Sequence, residues 1–168
     1  MKEILFKGCG TAIATPFNSE GVNLKEFEKL IESQIQDKVD SIIVCGTTGE
    51  ASTMTAKEKE ETIKCAIKIA NKRVPIIVGT GSNSTSQAIE NSKLAKDLGA
   101  DGILVVTPYY NKCTQKGLIE HFSKIAESVY PLPIILYNVP GRTGVNILPK
   151  TCYELSKVPN IVAIKEPK

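Results

Sequence analysis

The residues best able to do chemistry stand at the ends of short apolar runs. Ile161 to Glu166 reads IVAIKE, four apolar residues followed by a lysine and a glutamate. A run of this length and composition predicts a buried strand. Side chains alternate along a strand, so Ile161, Ala163 and Lys165 should share one face, with Val162, Ile164 and Glu166 on the other. Lys165 then sits at the carboxyl end of a buried strand, behind the small Ala163. An unpaired ammonium is costly to bury, so such a lysine needs an ion partner or a chemical task. Partial desolvation lowers a lysine pKa and turns the amine into a nucleophile for carbonyls. The competing reading is a strand-end lysine whose stem packs while its head reaches water.

Other apolar runs end in polar segments of a consistent kind: Thr15-Pro16, Gly46-Thr47-Thr48-Gly49-Glu50, Gly79-Thr80-Gly81, Thr107-Pro108-Tyr109-Tyr110-Asn111 and Tyr137-Asn138-Val139-Pro140-Gly141-Arg142. Together with Lys165 they gather hydroxyls, phenols, one arginine and one lysine. A lysine condenses with a ketone, phenols and threonine hydroxyls pass protons, and an arginine grips a carboxylate with two parallel hydrogen bonds. Each residue also has a plainer reading: aromatic packing for Tyr109, Tyr110 and Tyr137, turn chemistry for Thr47 and Thr48, a surface charge for Arg142. All of these would have to hold together at one end of one sheet.

That common end follows from the elements. Apolar strands are predicted at Gly10–Thr15, Ser41–Cys45, Ile76–Gly79, Ile103–Thr107, Ile134–Asn138 and Ile161–Lys165, at a spacing of roughly 30 residues, the length of a βα unit. Nearly all are continuously apolar, as parallel strands covered by helices are. Helix starts are marked by Asn23 with Glu26, Thr55 with Glu58 and Ser84 with Gln87, at capping-box spacing. Apolar stripes follow: Phe27, Leu30, Ile31 and Ile35; then Ile63, Ala66, Ile67 and Ala70; then Ala88, Ser92, Ala95 and Leu98, in a helix from about Ser86; then Leu118, Phe122, Ile125 and Val129. A short further helix is expected to begin near Pro149. Strict alternation of strand and helix means an α/β fold with a parallel sheet, whose working residues collect at the carboxyl ends of the strands. A doubly wound sheet and a (β/α)8 barrel both fit the pattern, the barrel normally needing about 250 residues.

Several functions are disfavoured. A net charge of +3, evenly spread, does not argue for nucleic acid or an anionic membrane. No apolar run is long enough to span a bilayer and no signal peptide is seen. The turns G-T-T-G-E and G-T-G-S-N are neither the dinucleotide fingerprint nor a Walker A sequence. No His, Cys or carboxylate cluster suits a metal. The one histidine, His121, falls inside the fourth main helix as a structural or surface residue, so no Ser-His-Asp or Cys-His set can be built. The five cysteines, Cys9, Cys45, Cys65, Cys113 and Cys152, show no C-x-x-C and read as small buried hydrophobes in a reducing, cytoplasmic compartment.

With these residues in place, GTTGEAST (46–53), GTGSN (79–83), VTPYYNK (106–112), YNVPGRTG (137–144) and IVAIKE (161–166) resemble the dihydrodipicolinate synthase family, in order and at family spacing, from about Phe6 to Glu166. G-T-T-G-E and the tyrosine–lysine pair are shared by the wider pyruvate-dependent class I aldolases; V-T-P-Y-Y and Y-N-V-P-x-R-T-G are more specific. The resemblance implies a (β/α)8 TIM-barrel type of fold in one incomplete domain, residues 1–168, with about six of eight βα units present. It implies that Lys165 forms a Schiff base with pyruvate. Tyr137 would shuttle protons at the imine, linked through Thr47 to Tyr110 of a neighbouring subunit. Thr48 would hold the pyruvate carboxylate and Arg142 the carboxylate of aspartate semialdehyde. It further implies a homo-oligomer, dimer or tetramer, acting in lysine and diaminopimelate synthesis without metal or organic cofactor.

The alternatives within and outside that chemistry are a sialic-acid or 2-keto-3-deoxy sugar acid aldolase, against which Arg142 argues, and a catalytically inert truncated fragment. The family continues past the point where this sequence reads Pro167-Lys168. Strands one and six would then lack their closing neighbours, and such a chain is expected to self-associate and to have little or no synthase activity.

Overall fold

The computed structural model describes residues 4–167; the single domain expected over 1–168 extends past them at both ends. Six parallel strands form one sheet: β1 (Gly10–Ala12), β4 (Ser41–Val44), β5 (Ile76–Gly79), β6 (Gly102–Val106), β7 (Ile134–Tyr137) and β8 (Ile161–Lys165), in that spatial order. Between them lie α1 (Leu24–Gln36), α2 (Ala56–Ala70), α3 (Thr85–Leu98), α4 (Gln115–Val129) and α6 (Pro149–Ser156). Strand order that follows chain order, with each crossover made by a helix, gives a curled, partial (β/α)8 barrel rather than a doubly wound sheet.

Sequence sets the helix ends. Thr55 Oγ1 accepts from the Glu58 N–H at 3.2 Å while Glu58 Oε2 accepts from the Thr55 N–H at 2.8 Å, a reciprocal capping box. Asn23 and Ser84 accept from the backbone three residues on, at 3.2 and 3.4 Å. Thr114 caps α4 in the same way, through the Gly117 N–H at 3.1 Å. Asn71 and Gly99 end α2 and α3 in the left-handed region, at φ of 45° and 96°.

Alternation divides the sheet into two faces. Ile42, Val44, Ile76, Val78, Ile103, Val105, Ile134 and Leu136 point outward and pack beneath the helices with Phe27, Ile31, Ala66, Ala88, Phe122 and Leu155. Ile43, Ile77, Leu104, Ile135 and Tyr137 point inward, joined by Val139, and Leu5 and Phe6 pack against them.

Four expectations are corrected. The first strand ends at Ala12 rather than Thr15, because Pro16 offers no donor and the chain turns into a small hairpin, β2 (Phe17–Asn18) with β3 (Gly21–Val22). A one-turn helix, α5 (Pro140–Thr143), lies unforeseen after β7. Cys45 and Cys65 are buried and Cys113 and Cys152 half-buried, but Cys9 is exposed where the chain approaches β1; all five are free thiols.

The fourth correction concerns β8. Its register shifts once: Ile134 faces Ile161 but Ile135 faces Ala163. The extra residue puts Ile161 outward in the helix-covered core, with Ile164, while Ala163 and Lys165 pair with inward residues. Ile161 therefore does not share the lysine's face. Nor is the strand buried throughout: among the described residues β8 pairs with β7 alone, and Ala163 and Lys165 are exposed.

Candidate functional site

Tyr137 and Lys165 are register partners at the carboxyl ends of β7 and β8. Both side chains project inward, and Lys165 Nζ lies 4.8 Å from the centre of the Tyr137 ring, within cation–π range. Tyr137 is 7% exposed. Its position is fixed from both sides, by the Thr107 N–H donating to the Tyr137 carbonyl at 3.1 Å and by the ladder to β8.

The turn after β4 brings Thr47 and Thr48 across from this pair. It closes through the Glu50 N–H on the Thr47 carbonyl at 3.1 Å, and Thr15 Oγ1 pins it by donating to the Gly49 carbonyl at 2.8 Å. Space is tight: a Cβ at Gly79 would run into the Cys45 carbonyl oxygen, and one at Gly49 would press on Thr15 Oγ1 and the Ile13 carbonyl. Cys45 and Glu50, which flank the turn, take φ of 53° and 54°. Non-glycine residues in this region carry strain, which concentrates at functional sites.

Arg142 sits in α5, held one turn beyond β7 by its own N–H donating to the Val139 carbonyl at 2.9 Å. Thr47, Thr48, Tyr137, Arg142 and Lys165 together border one cavity of about 270 Å³, floored by Ala12, Ile43 and Leu104. It adjoins a second of about 440 Å³ that shares Gly46, Thr47, Tyr137 and Arg142 and adds Cys45, Lys59 and Tyr109. Among the described residues bordering the two cavities there are three cationic side chains and no carboxylate. Such a lining favours anionic molecules.

The structure thus brings together five of the six residues singled out by sequence. The sixth, Tyr110, borders neither cavity; it is 90% exposed, with φ of 76°. Tyr137 and Thr47 border the same cavity, and among the described residues no hydrogen bond joins them.

Other candidate nucleophiles and bases fall away. Burial pushes the Cys45 thiol up to about 12, with Lys59 opposing weakly, so the thiol stays protonated and unreactive. His121 is 4% exposed, its Nδ1 2.9 Å from Thr85 Oγ1, and burial lowers its pKa to about 4. It is a structural residue that borders neither cavity. Among the described residues no group of three His, Cys, Asp or Glu is placed to hold a metal ion, and no helix is long and apolar enough to cross a membrane. Sequence reasoning attached no role to Asn138 or Gln115. An asparagine at the end of a predicted strand, directly after the tyrosine, was the available signal for the first of these.

A pocket at the carboxyl ends of parallel strands, with helices on the outer face, places the chain in the (β/α)8 class. It belongs to the Dihydrodipicolinate synthetase family, whose sequence model matches residues 5–168. It is 59% identical over 166 residues to 4-hydroxy-tetrahydrodipicolinate synthase of Acetivibrio thermocellus, covering 99% of this chain and 56% of that protein. Against 4-hydroxy-tetrahydrodipicolinate synthase 1 of Clostridium acetobutylicum it is 57% identical, over 96% of this chain and 55% of the relative. The crystal structure of the chloride-inhibited dihydrodipicolinate synthase from Acinetobacter baumannii complexed with pyruvate superposes with a TM-score of 0.91 at 55% identity, over 94% of this chain and 54% of that one. The chain spans about half the length of the curated relatives it matches.

Proposed function

We propose that this chain carries the pyruvate-binding site of a lyase that condenses pyruvate with aspartate semialdehyde, in lysine and diaminopimelate synthesis. The observation that carries this reading is the pairing of Lys165 with Tyr137 in a carboxylate-free pocket bounded by Thr47, Thr48 and Arg142. The named relatives, and the pyruvate bound by one of them, support it.

In this reading the neutral Lys165 amine adds to C2 of pyruvate. Tyr137 protonates the carbinolamine oxygen, water leaves and an imine remains, which acts as the electron sink without a metal or organic cofactor. Loss of a proton from the methyl carbon gives an enamine, and that carbon attacks the aldehyde. Thr48, with the backbone of its turn, holds the pyruvate carboxylate, and Arg142 takes the carboxylate of the semialdehyde by a two-point contact. Thr47 continues the proton path toward Tyr110 of a second copy. The exposure and backbone strain of Tyr110 fit a side chain held outward for a neighbour, in a homo-oligomer, dimer or tetramer. Five free thiols fit a cytoplasmic setting.

Borohydride reduction in the presence of pyruvate tests this. The expected product is Lys165 carrying one pyruvate less one water plus two hydrogens. An adduct on another lysine in the parent chain would refute the assignment. Sugar acids outcompeting aspartate semialdehyde as the second partner would move the reading to a sugar-acid aldolase.

A further inference from the structure

Asn138 follows Tyr137 directly and is 3% exposed. Its carboxamide makes three bonds: Nδ2 donates to Glu166 Oε1 at 2.8 Å and to Asn146 Oδ1 at 2.8 Å, and Oδ1 accepts from the Ile147 N–H at 2.9 Å. A carboxylate on one side and a backbone N–H on the other fix which way the amide faces. Its own backbone N–H donates to the Lys165 carbonyl at 3.0 Å, one rung beyond the last paired residues of β7 and β8. One residue therefore grips the backbone of Lys165, the side chain next to it in sequence, and the segment that follows α5 and Arg142.

Gln115, at the start of α4, braces the same segment. Its Nε2 donates to the Asn146 carbonyl at 2.8 Å, and its Oε1 accepts from the Leu148 N–H at 3.2 Å and Thr151 Oγ1 at 2.6 Å. Among the described residues β8 pairs with β7, and the Asn138 N–H on the Lys165 carbonyl extends that pairing past the last ladder residues.

We propose that Asn138 is a positioning residue, touching no substrate, that sets Lys165 and Arg142 in place about Tyr137 through Glu166 and the 145–147 segment. The inference rests on the imine reading above. Asn138→Asp sets a carboxylate against that of Glu166, and the two repel. Pairing Asn138→Asp with Glu166→Gln restores a donor opposite an acceptor with the polarity reversed, while the Ile147 N–H keeps an acceptor and the Asn146 amide can turn to donate.

The test is the rate of borohydride-trapped pyruvate adduct on Lys165 against pyruvate concentration, in samples shown to be folded, with amide hydrogen exchange of segments 138–148 and 161–166. Asn138→Asp should lower the maximal trapping rate about tenfold or more, since misplacement of about 1 Å can cost as much as 10²-fold, and should speed exchange in both segments. The paired variant should recover most of both losses. Glu166→Ala, at an exposed position, should slow trapping severalfold and keeps the test open if the aspartate variant does not fold. Parent-like trapping in folded Asn138→Asp, or no recovery in the pair, would overturn the proposal. If the parent itself forms no adduct, the imine reading fails, and unchanged exchange in the variants would separately overturn the clamp.

Discussion

The two faces of the sheet differ in what one residue's step along a strand achieves. Leu136 points outward, 2% exposed beneath the helices, and its neighbour Tyr137 points inward to border the cavity. Ile164 and Lys165 divide in the same way on β8. The outward face is aliphatic and closely packed against amphipathic helices, the setting in which burial stabilises a fold. The inward face is a thinner apolar layer that gives way at the carboxyl ends to a lysine, a phenol and hydroxyls. Period-2 geometry lets the same short strands serve both demands, and predicts that the two faces fail differently when altered.

The largest expected effect is on the inward face. Tyr137→Phe should slow exchange of the pyruvate methyl protons with deuterated water by about 10²–10⁴-fold, the range for one general acid–base group. It should leave the unfolding midpoint nearly unchanged, and a parent-like exchange rate followed by NMR would remove Tyr137 from the proton path. One step away, Leu136→Ala should do the reverse. It should cost about 2–5 kcal/mol of stability in denaturant unfolding, while the folded fraction still forms the pyruvate adduct.

How far these assignments were legible in the sequence varied with their physical origin. Continuous apolar runs and capping pairs such as Thr55 with Glu58 locate strands and helices because their causes are local. The cavity residues Thr47, Thr48, Tyr137, Arg142 and Lys165 were legible because parallel strands deliver their carboxyl ends to one side. The shift at Ile134 and Ile135 was not, since a bulge depends on how two strands meet and leaves no mark in one of them. The α5 turn was hidden because four residues carry too little periodicity to read. Asn138 could be placed at a strand end, but its partners Asn146 and Glu166 come from segments that only folding brings together.

A smaller effect belongs to the helix layer and to pH. Buried His121 titrates near about 4 when folded, against 6.5 for the ordinary imidazole. Between those values the unfolded chain binds a proton that the folded chain does not, so stability should fall as pH drops through this window, by about 3 kcal/mol at most. His121→Gln should flatten that acid branch in urea unfolding followed from pH 7 to 4. An unchanged slope would show that the imidazole does not set it. Smaller still is the cap of α2: Thr55→Ala should cost about 1 kcal/mol, read from the same unfolding curves, without moving the trapping reaction on the other face.

The central claim is that Lys165 is the amine that meets pyruvate. Its most direct measurement is peptide mapping of the chain after borohydride reduction with pyruvate, beside Lys165→Ala and Lys165→Arg. Arginine remains charged and forms no imine under these conditions. The account predicts one modified lysine, at position 165, and no adduct in either variant. An unmodified parent chain, or an adduct that persists when Lys165 is replaced, would contradict it.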